Sequence, residues 1–276
     1  MMASLHGKKI IFLGNSYTFY GNTVIHKGYK VLTQTERSND PGYFYQLCKA
    51  NGMEVSVTNW TFGSHNITEF FREEGCNAQR DCQGHRHQDY LEDPCFDYVC
   101  LQPWREPEYK GDLLEHLRPA MAFFRKGNPN VRFLLLIPHM IHEKQEIWLP
   151  DVHQLKQAGF LIVDWGRLLH DLSQGKTAVP GGTLPLSRSS FVNSKDNHHE
   201  NPLAGYITTL MTYCAITGES AVGQPYEFCY DKQLHKKFDL EAFKAANYPD
   251  CNTNFIQVFH SKADMAGLQQ LADQYL

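Results

Sequence analysis

Nowhere do the 276 residues approach the ~18 consecutive apolar positions that a membrane-spanning helix requires. The segment from Met1 to Gly7 also lacks the apolar core of a secretory leader, so the expectation is a cytoplasmic protein with no membrane partner. Positive charge is not in excess. Lys and Arg number 26 against 30 Asp and Glu, and the formal net charge of −4 excludes broad attraction to nucleic acid or anionic lipid. Internal repeats and linker-like segments are missing as well, which argues for a single domain over residues 1–276 with loop insertions near 19–42, 75–94 and 173–195. The eight cysteines show no regular spacing of the kind that marks a disulfide framework, so most are expected to be reduced, buried small hydrophobes. Asn59-Trp60-Thr61 and Asn66-Ile67-Thr68 match glycosylation acceptors, but such triplets arise by chance and mean nothing in a chain that is not secreted.

What is present is an alternation of short apolar runs with helical stretches. Ile10–Leu13, bounded by Lys8-Lys9 and Gly14-Asn15, reads as a buried strand that stops abruptly. Further strands are expected at Glu54–Thr58, Phe96–Gln102, Val131–Ile137 and Phe160–Val163. Helices are expected over Tyr43–Ala50, from Asn66 to Phe71, over Asp112–Lys126, Val152–Ala158, from Asp164 to Leu172, over 202–217, around Leu240–Ala246 and over Ser261–Tyr275. Pro119 should kink or restart the third of these. Strands alternating with helices of such lengths imply an α/β chain with three α/β/α layers and a mostly parallel sheet of about five strands.

Chemistry can be placed on this frame at two points. Ser16 stands just past the end of the first strand, and in an open parallel sheet the loops beyond the strands' carboxyl ends form the ligand crevice. A serine there is placed as a nucleophile, although on this motif alone it reads as a helix cap or a mere turn of the chain. Far along the chain, Asp196-Asn197-His198-His199-Glu200-Asn201-Pro202 precedes the apolar run from Leu203 to Met211. An Asp three residues before a His can bond to that imidazole's Nδ1 and leave Nε2 to take a proton from a serine. Both His198 and His199 are candidates for the base.

These two motifs together, Gly-x-Ser after the first strand and Asp-x-x-His before a late helix, resemble the SGNH hydrolases, the GDSL-like esterase and lipase superfamily. Gly14-Asn15-Ser16-Tyr17-Thr18 with His199-x-Asn-Pro, Tyr206 and Thr217-Gly218 is similar to a bacterial branch that carries Gly-Asn-Ser in place of Gly-Asp-Ser. The resemblance runs roughly from the first strand to the final helix. It implies a flavodoxin-like fold, a triad of Ser16, Asp196 and His199, and ester hydrolysis without a cofactor. His199 has the offset of the resembled motif, which leaves His198 to the surface. The resemblance also implies an oxyanion hole built from the N–H groups of Ser16 and Gly63. The superfamily's third donor, an Asn in Gly-x-Asn-Asp, is absent. Gln102 carries the same amide donor on a longer stem at the corresponding strand end.

Such enzymes commonly remove acetyl or other short acyl groups from sugars, which points to a carbohydrate or other small ester as the partner molecule. Trp60, Trp104, Trp148 and Trp165 offer stacking faces for a sugar ring, or else belong to the core. A lipid or thioester acyl hydrolase and a non-catalytic glycan-binding protein on the same fold are the alternatives. His139 and His142, beyond the fourth strand, read as loop histidines. Cys76, Cys82, His85 and His87, with Cys95 downstream, have metal-ligand chemistry, but the first spacing is longer than usual and an insertion loop without metal is expected. Oligomeric state, acyl length and the alcohol cannot be read from the sequence.

Overall fold

The computed structural model describes residues 4–19, 23–24, 26–27, 30–31, 42–61, 63–71, 94–104, 112–143, 151–182, 186–192, 198–226 and 261–276. The chain begins with β1 (Lys9–Gly14) and the single helical turn α1 (Ser16–Phe19), then a small antiparallel pair, β2 (His26–Lys27) with β3 (Lys30–Val31). Next come α2 (Tyr43–Ala50), β4 (Ser56–Thr61) and a 3₁₀ turn at Ile67–Phe71, where the sequence suggested a regular helix. They are followed by β5 (Tyr98–Leu101), α3 (Leu113–Gly127), β6 (Arg132–Leu136) and α4 (His139–Glu143). The described chain closes with α5 (Val152–Gln157), β7 (Phe160–Val163), α6 (Trp165–Ser173), α7 (Pro202–Thr217) and α8 (Lys262–Gln274). The helix expected around Leu240–Ala246 lies outside the described residues.

Five strands form one sheet in the order β4-β1-β5-β6-β7, and every pairing is parallel. This is the flavodoxin-like strand order, and it bears out the expected three-layer α/β fold. Alternation along each strand supplies two faces. Ile10 and Phe12 enter one core with α2, α6, α7 and α8, while Ile11 and Leu13 enter the other with α3 and the 3₁₀ turn. With both faces covered, every residue from Ile10 to Gly14 is buried, which is why β1 reads as a continuous apolar run.

Two boundaries differ from the sequence reading. β4 starts at Ser56 and runs to Thr61, because its register on β1 pairs Lys9 with Ser56 and Gly14 with Thr61; Asn59 and Trp60 are therefore strand residues. In α3 the helix is continuous through Pro119, with its apolar stripe Leu113, Leu117, Ala120 and Phe124 buried. Packing of that stripe outweighs the single backbone bond that proline cannot make.

The strand order creates a switch point at β1. The chain leaves β1 for β4 on one side and returns to β5 on the other, so the connections diverge at the carboxyl end of β1 and open a crevice there. Gly14, Asn15 and Ser16 occupy that end.

Candidate active site

Crowding by Thr18 and Gln102 favours glycine at the tip of β1. A Cβ on Gly14 would lie 2.5 Å from Thr18 Oγ1 and 3.1 Å from Gln102 Cβ, so any larger residue would have to push the Thr18 side chain and the end of β5 aside. Ser16 follows two residues later and opens α1, with 7% of its surface exposed. From the far end of the chain, His199 presents Nε2 at 2.8 Å from Ser16 Oγ.

Three local features hold the histidine loop in place. Asn201 caps α7 by accepting from Leu203 N–H (3.0 Å) and Ala204 N–H (3.2 Å), and Pro202 follows at the first helical position. The same Asn201 donates from Nδ2 to the Ser190 carbonyl (2.7 Å), while its backbone N–H donates to the Phe191 carbonyl (2.9 Å). A bridge between Val192 and Glu200 completes the connection. α7 itself is buried nearly all round and ends at Gly218 in a left-handed conformation (φ 74°), so the loop hangs from a rigid element.

Around Ser16 and His199 lie further aromatic and polar groups. The Tyr17 ring, itself buried, packs near His139, His198 and His199, with centroid separations of 5.9, 5.2 and 5.5 Å. Its hydroxyl shares a hydrogen bond with the ring of His198, which is exposed. Gln102, fully buried, accepts from the Thr18 hydroxyl at Oε1 (3.0 Å). That bond sets the amide's orientation, and Nε2 has no hydrogen-bond partner among the described residues. A buried amide donor with no acceptor is unusual, because the unmade bond is costly. Gly63 lies in the turn after β4, where a Cβ would meet nothing within 4 Å, and the His65 ring donates from Nδ1 to its carbonyl (3.1 Å). Asp196 falls outside the described residues.

The reading of two histidines needs correction, and other expectations can be placed. His139 and His142 are not loop histidines: both are buried in α4, a helix that the sequence reading missed at the end of β6. His142 Nε2 bonds to Asp164 Oδ1 at 2.6 Å, which ties α4 to the cap of α6. Burial lowers the His139 imidazole to a pKa of about 4, although Glu200 Oε1 lies 3.5 Å from its Nδ1. Trp60 and Trp165 are core residues with 1% and 0% exposure, so neither has a face for a sugar. Trp104 is partly exposed, and Trp148 lies outside the described residues. Cys48, Cys100 and Cys214 are buried and unbridged, and burial pushes their thiols up, that of Cys214 to about 12. Cys76, Cys82, His85 and His87 lie outside the described residues and Cys95 is exposed; no group of three metal-ligating side chains occurs among those described. No described helix is long and apolar enough to cross a membrane.

No protein family and no curated protein matches the chain. Solved structures do. A variant of an acetyl-xylooligosaccharide esterase from Geobacillus stearothermophilus is 16% identical over 79% of this chain and 97% of its own, with a TM-score of 0.47. An acetyl xylan esterase variant from the same organism is 16% identical over 78% and 96%, at 0.44. A protein from Slackia heliotrinireducens assigned to the SGNH hydrolases is 14% identical over 77% and 99%, at 0.42. At such identities no substrate and no residue role carries across, and the geometry at the strand ends has to speak for the site.

Proposed function

We propose that this protein is a serine ester hydrolase of the SGNH type, which removes a short acyl group from a carbohydrate or other small ester. The observation that carries the reading is the 2.8 Å contact between Ser16 Oγ and His199 Nε2 at the switch point of a parallel sheet. A hydroxyl alone is a weak nucleophile, and an imidazole within hydrogen-bond reach is what activates it.

In this reading His199 Nε2 takes the Ser16 proton as Oγ attacks the ester carbonyl carbon. The resulting oxyanion is met by the Ser16 and Gly63 N–H groups and by Gln102 Nε2, which has no partner among the described residues and so suits a donor reserved for a charge that forms only during reaction. His199 then gives its proton to the departing alcohol, and water, deprotonated by the same imidazole, releases the acid. Asp196, three residues before His199, is the proposed partner of Nδ1. With Trp60 and Trp165 in the core, the carbohydrate preference rests on Trp104 alone among the described tryptophans.

The test is a panel of p-nitrophenyl esters and acetylated sugars, offered to wild type, Ser16→Ala, His199→Ala and His198→Ala, with fluorophosphonate labelling alongside. Ser16→Ala and His199→Ala should be inactive, the label should sit on Ser16, and His198→Ala should retain the wild-type rise of kcat/KM with pH. Full activity in Ser16→Ala, or label on another serine, would refute the triad. A folded wild type that binds acetylated sugar but neither turns over nor labels would establish the glycan-binding alternative.

A further inference from the structure

At the position before the nucleophile this chain has Asn, and the structure supplies a reason. Asn15 is fully buried. Its Nδ2 donates to two backbone carbonyls, that of Gln102 at 3.2 Å and that of His65 at 3.4 Å, and its Oδ1 accepts from the Tyr17 N–H at 3.2 Å. One planar amide therefore ties the nucleophile turn after β1 to the end of β5 on one side and to the turn after β4 on the other.

We propose that Asn15 is a positioning residue that sets the spacing of the oxyanion hole, and that this role requires an amide. The inference rests on the esterase reading above. The three segments that Asn15 joins carry Ser16, Gln102 and Gly63, the three proposed donors. They come from separate strand ends, so their spacing depends on a lateral tie as well as on the sheet. Both Nδ2 hydrogens face carbonyl oxygens, which only a donor pair can satisfy. A carboxylate at this position would lose both bonds and set its negative charge against two carbonyl dipoles in a buried site. Asn and Asp have the same shape, so the choice between them is decided by hydrogen-bond polarity and not by size.

The experiment compares Asn15→Asp and Asn15→Ser with wild type in kcat, KM and melting temperature between pH 5 and 9. Misplacement of catalytic donors by about 1 Å costs ~10²-fold, so kcat should fall by that order in Asn15→Asp at pH 8 while KM changes less than about threefold. The carboxyl introduced there is buried among acceptors, which raises its pKa above the ordinary ~3.9. Wild type should rise with pH to a plateau, whereas Asn15→Asp should gain a descending alkaline limb. The titratable groups on the segments touching Asn15 are Tyr17, His65 and Cys100, with His199 across Ser16. Asn15→Ser adds no ionisable group. It should lose kcat without the new limb, and so separates the new titration from theirs.

A merely structural role would lower the melting temperature and leave the shape of the pH profile alone. If both variants keep kcat within about threefold of wild type across the range, the inference is overturned. If Asn15→Asp fails to fold, Asn15→Ser decides alone, through its kcat against its KM. If wild type hydrolyses no ester and takes no label, the esterase reading has failed. The amide requirement is then judged by melting: Asn15→Asp should destabilise increasingly as pH rises from 5 to 8, and a pH-independent deficit refutes it.

Discussion

Gln102→Met is expected to separate stability from activity. Two buried interactions are altered at once. The substitution deletes an amide whose Nε2 has no partner among the described residues, which removes a desolvation cost of about 1–3 kcal/mol. It also deletes Oε1, which accepts from Thr18, and so leaves a hydroxyl that is only 1% exposed without that acceptor, a loss of similar size. Methionine fills nearly the same volume and is flexible enough to repack. The two effects offset, and the unfolding free energy should stay within about 2 kcal/mol of wild type. Activity has no such compensation. Loss of one oxyanion donor should lower kcat by ~10²–10³, or ~2.7–4 kcal/mol of transition-state stabilisation, with KM little changed. Urea unfolding followed by tryptophan fluorescence gives the first quantity and ester turnover the second. Gln102→Glu should be worse in turnover, since a carboxylate offers no proton and repels the oxyanion. A variant with intact unfolding and less than about threefold loss in kcat would refute the reasoning and return Gln102 to a packing role beneath the site.

Two further predictions follow from burial at the strand ends. His139 is neutral in the folded protein, with a pKa lowered by burial to about 4, so the unfolded chain binds the proton more readily. Stability from this residue should be present above pH ~6.5 and be lost, on the order of 3 kcal/mol, as pH falls toward 4. His139→Phe, which keeps the edge contact with Tyr17, should flatten that acid slope in urea titrations, and an unchanged slope would count against it. Gly14→Ala should cost about 1–3 kcal/mol and displace Thr18 and Gln102, since its Cβ would lie 2.5 Å from Thr18 Oγ1. A variant as stable and as active as wild type would show that the strand ends part more easily than their packing implies.

The local pattern of the sequence determined the strands, their parallel alternation with helices and the serine at the end of β1. Ile10–Leu13 could be read because a strand buried on both faces has to be apolar at every position, and Gly14-Asn15 marks its end whatever surrounds it. His199 could be singled out because its three-residue offset from Asp196 is that of the resembled motif, and the fold then set its Nε2 against Ser16 across the whole chain. Other features depended on what packs where. For Trp60 and Trp165 the sequence left a stacking face and a place in the core equally open, and neighbouring side chains cover both. His139 and His142 looked like loop residues, because no periodicity announces a helix of five residues, and their burial comes from α6 and the histidine loop. The three hydrogen bonds of Asn15 join residues 15, 65 and 102, and the partner of an amide is chosen by whichever carbonyls the assembled sheet brings within 3.4 Å. Sequence periodicity reports which side of an element is apolar. Which polar group meets which is decided only when separate strand ends converge, because hydrogen bonds are directional and hydrophobic burial is not.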